Sequence, residues 1–302
     1  LEKVLEIKGL TKRYGRLLAV NKLSLEVPRG SVFGILGPNG SGKTTTLGIL
    51  LDVIQPTAGD FLWFGAKADN KVRKEIGAIL ETPIFYPYLT AYENLNIVAE
   101  IKGADKSNIE KVLETVELLH RKDDKFKTYS LGMKQRLSIA SALLNDPKVM
   151  ILDEPTNGLD PKGIAEIRDI ITKIARDGKT IILASHLLDE VQKVCSHFAV
   201  LQNGKLLYQG LVEDVSKGEM VVEVAANGHD LAATLEGFEG SKKVVKDFDK
   251  WVVSLEEGFG STELNQYLHG KSITASHLLT QKKSLEKQFL EILEESNENK
   301  VG

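Results

Sequence analysis

The segment Gly37-Pro38-Asn39-Gly40-Ser41-Gly42-Lys43-Thr44 constrains this chain more than any other. It follows a compact apolar run, Val32 to Leu36, and precedes a helix expected from Gly42 to about Leu51. A strand that ends in a glycine-rich turn and opens directly into a helix is the context in which this pattern cradles phosphate. The physical reason is close approach. Glycines let backbone N–H groups wrap around a phosphate chain, and the N-terminus of the following helix adds positive potential. Lys43 should reach the β- and γ-phosphates of a nucleotide, and Thr44 should ligate Mg²⁺.

The rest of the chain supplies the α/β setting such a loop needs. Val4, Leu5 and Ile7 open a short strand, and Leu23 to Val27 reads as another. Phe61 to Phe64 and Ile76 to Leu80 are short apolar runs. The middle reads as helical. Thr90 can cap a helix through Tyr92, Leu95 and Val98; Ser107 and Glu110 have capping-box spacing; Ser130 to Leu144 is a third helix, closed by Asp146-Pro147. The alternation resumes with a strand at Val149 to Leu152, a helix at Pro161 to Ala175, a strand at Thr180 to Ala184 and a helix at Leu187 to Cys195. Asn203-Gly204 between two apolar runs is a hairpin signal. Parallel strands with crossover helices, an antiparallel β part and a helical insert describe this region.

Val149-Met150-Ile151-Leu152-Asp153-Glu154 is a buried strand ending in two carboxylates. Asp153 can hold Mg²⁺, directly or through water. Glu154, one residue on, projects differently and can face an attacking water as general base. Tyr129-Ser130-Leu131-Gly132-Met133-Lys134-Gln135-Arg136 puts a hydroxyl and a glycine at a helix N-terminus, a second anion cradle. In order along the chain come the phosphate loop, this segment, the acidic strand, Asn157-Gly158-Leu159-Asp160, and His186 after a strand. From about Leu5 to Gly210 this order resembles the ATPase subunit of ATP-binding-cassette (ABC) transporters.

The resemblance implies a P-loop NTPase cassette with a RecA-like core, an antiparallel β subdomain and a helical subdomain at about residues 82–146. It implies that ATP with Mg²⁺ is held by the loop from Gly37 through Thr44 and Thr45, and that Tyr14 stacks on adenine. Ser130 and Gly132 match the residues that contact the γ-phosphate on a partner subunit's ATP. Asp160 matches the acid linking the two sites of a dimer, and His186 the switch histidine on the γ-phosphate. Lys43, Glu154 and His186 are thus the catalytic set, and Thr44, Asp153 and Glu81 the metal set. Where the family usually has Gln this chain has Glu81, which can still ligate Mg²⁺ through oxygen and adds a negative charge. That Glu, and a signature reading Tyr-Ser-Leu-Gly-Met, resemble the ATPases of lantibiotic-immunity and bacitracin-type efflux systems. A single phosphate loop and a single signature imply a head-to-tail dimer, as a homodimer or a paired subunit, working with a separate polytopic permease at the cytoplasmic face of the membrane.

After Gly210 the pattern restarts. Strands at Met220 to Ala225, Val244 to Lys246, Trp251 to Leu255 and Ile273 to Leu279 interleave with helices at Asp230 to Leu235 and from Ser261 to His269. This βαββαβ order predicts a small α+β ferredoxin-like domain over 211–302. A closing amphipathic helix from Ser284 to about Leu293 puts Leu285, Phe289 and Ile292 on one face. Composition narrows the alternatives. Lys plus Arg is 39 against 42 Asp plus Glu, a net charge of -3, which argues against a dedicated nucleic-acid binder. The single cysteine, Cys195, excludes a disulfide framework and fits a reducing compartment. No apolar run reaches the roughly 18 residues that span a bilayer, and Leu1 to Thr11 lacks a signal-peptide core. Two competing readings are a non-transport ABC ATPase in translation or DNA repair, and a module whose C-terminal domain senses a ligand and gates the ATPase. The first usually carries fused cassettes or long coiled-coil inserts, and neither is seen here.

Overall fold

A computed structural model describes residues 2–80, 84–216, 220–226, 230–256 and 258–282. Glu81 and the closing segment Ser284 to Leu293 lie outside the described residues. The chain divides into two compact units, Leu1–Val212 and Glu213–Gly302.

The first unit runs β1 (Lys3–Tyr14), β2 (Leu17–Pro28), β3 (Val32–Leu36), α1 (Lys43–Leu50), β4 (Ala58–Trp63), α2 (Asn70–Lys74), β5 (Ile76–Ile79), α3 (Ala91–Lys102), α4 (Asn108–Thr115), α5 (Leu131–Leu143), β6 (Val149–Asp153), α6 (Pro161–Arg176), β7 (Thr180–Ser185), α7 (Leu188–Val194), β8 (His197–Gln202) and β9 (Lys205–Leu211). A short helix, α8 (Val212–Ser216), follows where the sequence suggests only a polar stretch.

A six-stranded sheet, ordered β5-β6-β7-β3-β8-β9, carries the core. Its strands are parallel except β9, which returns antiparallel to β8 through Asn203-Gly204. Both turn residues have positive φ, 51° and 76°, as a tight two-residue hairpin requires. Strands β3, β6 and β7 are buried at every residue, which is why they read as unbroken apolar runs. Register places Leu36 beside Ser185 and Asp153 beside Ala184. The C-terminal ends of three central strands therefore leave the sheet at one level, the edge where α/β sheets bind ligands.

A second, antiparallel sheet, β2-β1-β4, packs into the same hydrophobic core. Strand β1 is longer than the run Val4 to Ile7 indicates. Its register shifts beyond Ile7, near Gly9 at φ 59°, which interrupts the period-two signal. Trp63 is fully buried, and its indole N–H donates to the carbonyl of Leu50 (3.1 Å), tying β4 to the end of α1.

Helices α3 to α5 form the insert. Thr90 and Glu93 make a reciprocal capping box on α3, and Ser130 caps α5 by accepting from the Met133 N–H (3.2 Å). Ser107 does not cap with its side chain. Its backbone is already helical, and its N–H donates to Asp105 Oδ1 (2.9 Å), so Asp105 orders the entry to α4.

The second unit comprises β10 (Met220–Ala226), α9 (Leu231–Glu236), β11 (Ser241–Asp247), β12 (Lys250–Leu255), α10 (Ser261–Gly270) and β13 (Ala275–Lys282). Its sheet is antiparallel in the order β11-β12-β10-β13, with its own core of Val222, Val224, Val253, Leu235, Leu264 and Leu268 among others. Asp230 caps α9. The cap of α10 is Gly260 rather than Ser261, because Glu263 reaches back to the Gly260 N–H (2.8 Å) and fixes the helix start one residue earlier.

Tyr129, just before the α5 cap, is buried and donates its hydroxyl to the Arg121 carbonyl (2.7 Å). Burial pushes its phenol up to about 12. Tyr129→Phe should cost about 1 kcal/mol in urea unfolding at neutral pH. The unfolded phenol ionises near 10 and the folded one near 12, so wild-type stability falls across that window while the variant lacks this loss. The wild type's advantage should shrink above pH 10 and reverse before pH 12, because two pKa units outweigh about 1 kcal/mol.

Candidate functional site

The loop between β3 and α1 closes on itself through two glycines. A Cβ on Gly37 would stand 2.3 Å from the Leu201 carbonyl oxygen and 2.6 Å from Ser41 Oγ. Gly42 has φ +103°, and a Cβ there would lie 2.5 Å from the Ala19 carbonyl oxygen. The hairpin of β8 and β9 braces the loop from behind, since the Gly204 N–H donates to the Ser41 carbonyl (3.0 Å). Ser41 is buried, and its Oγ has no hydrogen-bond partner. An orphaned hydroxyl inside a glycine cradle fits an anion as the missing acceptor.

Lys43 is only 6% exposed. Its ammonium donates to the Gly37 carbonyl (2.7 Å) and lies 3.3 Å from Glu154 Oε1. Burial of that charge is tolerable because carbonyl and carboxylate surround it. Glu154 follows β6 with φ 48°, a left-handed conformation unusual for a glutamate. Its N–H still pairs with the Ala184 carbonyl (2.9 Å). Beyond the buried Asp153, this twist brings the Glu154 carboxylate between Lys43 and His186, whose Nδ1 is 2.8 Å from Oε2. Lys43, Glu154 and His186, separated widely in sequence, thus form one contiguous group.

A cavity of about 380 Å³ opens beside them. Asn39, Gly40, Ser41, Gly42, Lys43, Thr44, Thr45 and Glu154 line it, together with Tyr14 from the end of β1. Pro38 contributes its carbonyl to the lysine (3.4 Å). Tyr14 is 46% exposed, with the Lys12 ammonium 4.9 Å from its ring centroid, so a planar group has an aromatic surface to stack on. Leu17, Leu18, Ala19 and Asn203 also line the cavity and escape sequence reasoning. Only Asn203 carries a local signal, and that signal announces a hairpin.

Ser130, Gly132 and Asp160 line a different cavity, of about 420 Å³, between the starts of α5 and α6. The two cavities share no residue. Asp160 caps α6 by accepting from the Gly163 N–H (2.9 Å), with Pro161 at the first helical position. The Leu131 side chain beside the signature Ser is half exposed. Among the described residues no three His, Cys, Asp or Glu side chains cluster as a metal cage. The exposed Thr44 lines this cavity, whereas Asp153 is buried at the end of β6 and is not among its lining residues; one hydroxyl and one carboxylate are the sparse oxygen donor set that suits Mg²⁺, which binds through one or two carboxylates plus substrate phosphates.

Residues 20–157 match the family model described as ABC transporter. The chain is 43% identical over 222 residues to the bacitracin transport ATP-binding protein BcrA of Enterococcus faecalis, covering 72% of each. It is 40% identical over an alignment of 314 positions to the uncharacterized ABC transporter ATP-binding protein YhcH of Bacillus subtilis (strain 168), covering 99% of this chain and 98% of that one. Its fold is similar to the ATP-binding cassette MJ0796 in a dimeric post-hydrolysis state bound to ADP and Pi, with TM-score 0.61 and 27% identity over 69% of this chain and 98% of that one.

The glycine geometry is testable without any ligand. Gly42→Ala forces a side chain into a left-handed conformation and against a backbone oxygen. It should destabilise the folded chain by about 1–3 kcal/mol in denaturant unfolding, whereas Gly40→Ala, with φ +80° but open space around it, should bear only the backbone strain.

Proposed function

The chain belongs to the ABC transporter family of ATP-binding subunits, and from that membership we propose how its residues drive an export complex. It is an ATPase subunit, and the carrying observation is the Glu154 carboxylate held between Lys43 and His186 at the end of β6. Glu154 accepts the proton of the water that attacks the γ-phosphate. Lys43 and the loop N–H groups from Gly37 to Thr45 bind the β- and γ-phosphates, and His186 orients the terminal phosphate and Glu154 together. Tyr14 stacks on adenine. Thr44 and Asp153, with Glu81, would hold Mg²⁺, which would offset the charge of the phosphates.

The separation of the two cavities supports a head-to-tail dimer. Ser130, Gly132 and Asp160 line a cavity that shares no residue with that of the phosphate loop, which supports a second copy or a paired subunit presenting them to the nucleotide. Closure on ATP and opening after hydrolysis would then pull on a separate permease. No helix among the described residues is long and apolar enough to cross a membrane, which fits a membrane span supplied by that second chain at the cytoplasmic face. Similarity to a bacitracin transport subunit and the Glu81 substitution favour an export system for an antibiotic, drug, peptide or lipid-like molecule. We assign 1–210 as the cassette, with its helical subdomain at about 82–146, and 211–302 as an accessory ferredoxin-like domain.

Glu154→Gln keeps the size of the side chain and removes the base. ATP hydrolysis, assayed with the permease, should fall by about 10²-fold or more while ATP binding persists. Hydrolysis at the wild-type rate would overturn the assignment of Glu154.

A further inference from the structure

Glu190, on α7, is a carboxylate that the reading above does not use. It is 5% exposed, and among the described residues it forms no ion pair. One oxygen, Oε2, accepts from the Ser185 hydroxyl (2.7 Å); the other, Oε1, accepts from the Thr156 hydroxyl. Ser185 Oγ in turn accepts from the Leu187 N–H (3.0 Å), so this hydroxyl is held from both sides. Both oxygens of Glu190 act as acceptors. Burying a carboxylate without a cation is costly, and hydroxyl donors offset only part of that cost.

The two partners are where the interest lies. Ser185 is the last residue of β7, immediately before His186, and its carbonyl accepts from the Gly37 N–H of the phosphate loop (3.3 Å). Thr156 begins the turn from Glu154 to Asp160; the Asn157 N–H donates to the Glu154 carbonyl (3.1 Å) and the Leu159 N–H to the Thr156 carbonyl (3.1 Å). Both partner side chains are buried. One carboxylate thus joins the strand end that carries His186 to the turn that starts at Glu154 and delivers Asp160 to the other cavity. The 2.8 Å contact of His186 with Glu154 spans the same two segments.

We propose that Glu190 is a positioning residue whose buried carboxylate clamps the His186 strand end to the Glu154–Asp160 turn, so that it governs ATP hydrolysis through the His186–Glu154 contact. The inference rests on the ATPase reading, and it places control of the two cavities in a group that touches neither. Its hydrogen bonds, more than its charge, carry the effect: each hydroxyl is held in place by a carboxyl oxygen, and without them the two segments can part.

The test uses the full chain with its permease. Glu190→Ala should lower kcat by about 10- to 100-fold, as loss of an orienting partner typically does, with KM for ATP unchanged. Glu190→Gln, which keeps one acceptor and offers an amide donor to a hydroxyl that can reorient, should recover most of kcat. Ser185→Ala severs one arm alone and serves if Glu190→Ala does not fold; it should also lower kcat at constant KM. In the nucleotide-free chain, amide hydrogen exchange should speed up in both 154–160 and 185–191 for the alanine variants and stay near wild type for Glu190→Gln. Glu190→Gln as impaired as Glu190→Ala, a change in KM with kcat intact, or faster exchange in only one segment would each overturn the proposal. A wild-type chain that does not hydrolyse ATP would instead overturn the ATPase reading, and the exchange measurement would still decide the clamp.

Discussion

Everything at the site depends on the parallel register of β3, β7 and β6. Leu36 stands beside Ser185, and Ala184 beside Asp153, so Gly37, His186 and Glu154 emerge from the sheet at one level. Side chains alternate faces along a strand, and a slip of one residue in any of the three would turn its terminal side chain to the opposite face. The register is held by burial. Each strand is enclosed along its whole length and carries a run of apolar residues, so a slipped pairing would expose or strand several apolar side chains at once.

Charge is arranged with the same economy. Lys43 sits nearly buried with the Gly37 carbonyl and Glu154 around it, and Glu154 in turn contacts His186. The group is a chain of contacts from ammonium to carboxylate to imidazole. A phosphate entering the cradle would meet Lys43 and the orphaned Ser41 hydroxyl, and would compete with Glu154 for the ammonium. That competition offers a physical route by which a bound phosphate would loosen the carboxylate from the ammonium.

Two cavities of the chain share no lining residue. The cradle with Tyr14, and the groove with Ser130, Gly132 and Asp160, are built on different elements and line separate cavities. Asp160 and Ser130 are occupied as helix caps, which fixes the backbone N–H groups of α5 and α6 in place and points both helix starts into one groove. A four-stranded antiparallel sheet with its own hydrophobic core forms the second unit.

The sequence alone determined the strands and helices whose signals are local. Val32 to Leu36 is wholly apolar and ends at Gly37, and it forms the expected strand residue for residue. Thr90, Ser130, Asp160 and Asp230 cap their helices because an oxygen-bearing side chain at that spacing reaches the N–H two or three residues on. Where tertiary structure overrides the local pattern, the sequence misleads. Ser107 has the capping-box spacing, yet Asp105 takes its N–H; β1 continues past Ile7 because a register shift interrupts its alternation; and α2 is too polar to show an apolar period. The motif residues were legible because their chemistry demands particular residue types. Their distances were not. The His186–Glu154 contact spans 32 residues, and the two arms of Glu190 span 5 and 34. Such contacts are set by strand register and by which helix face turns inward, quantities that exist only once the sheet has assembled.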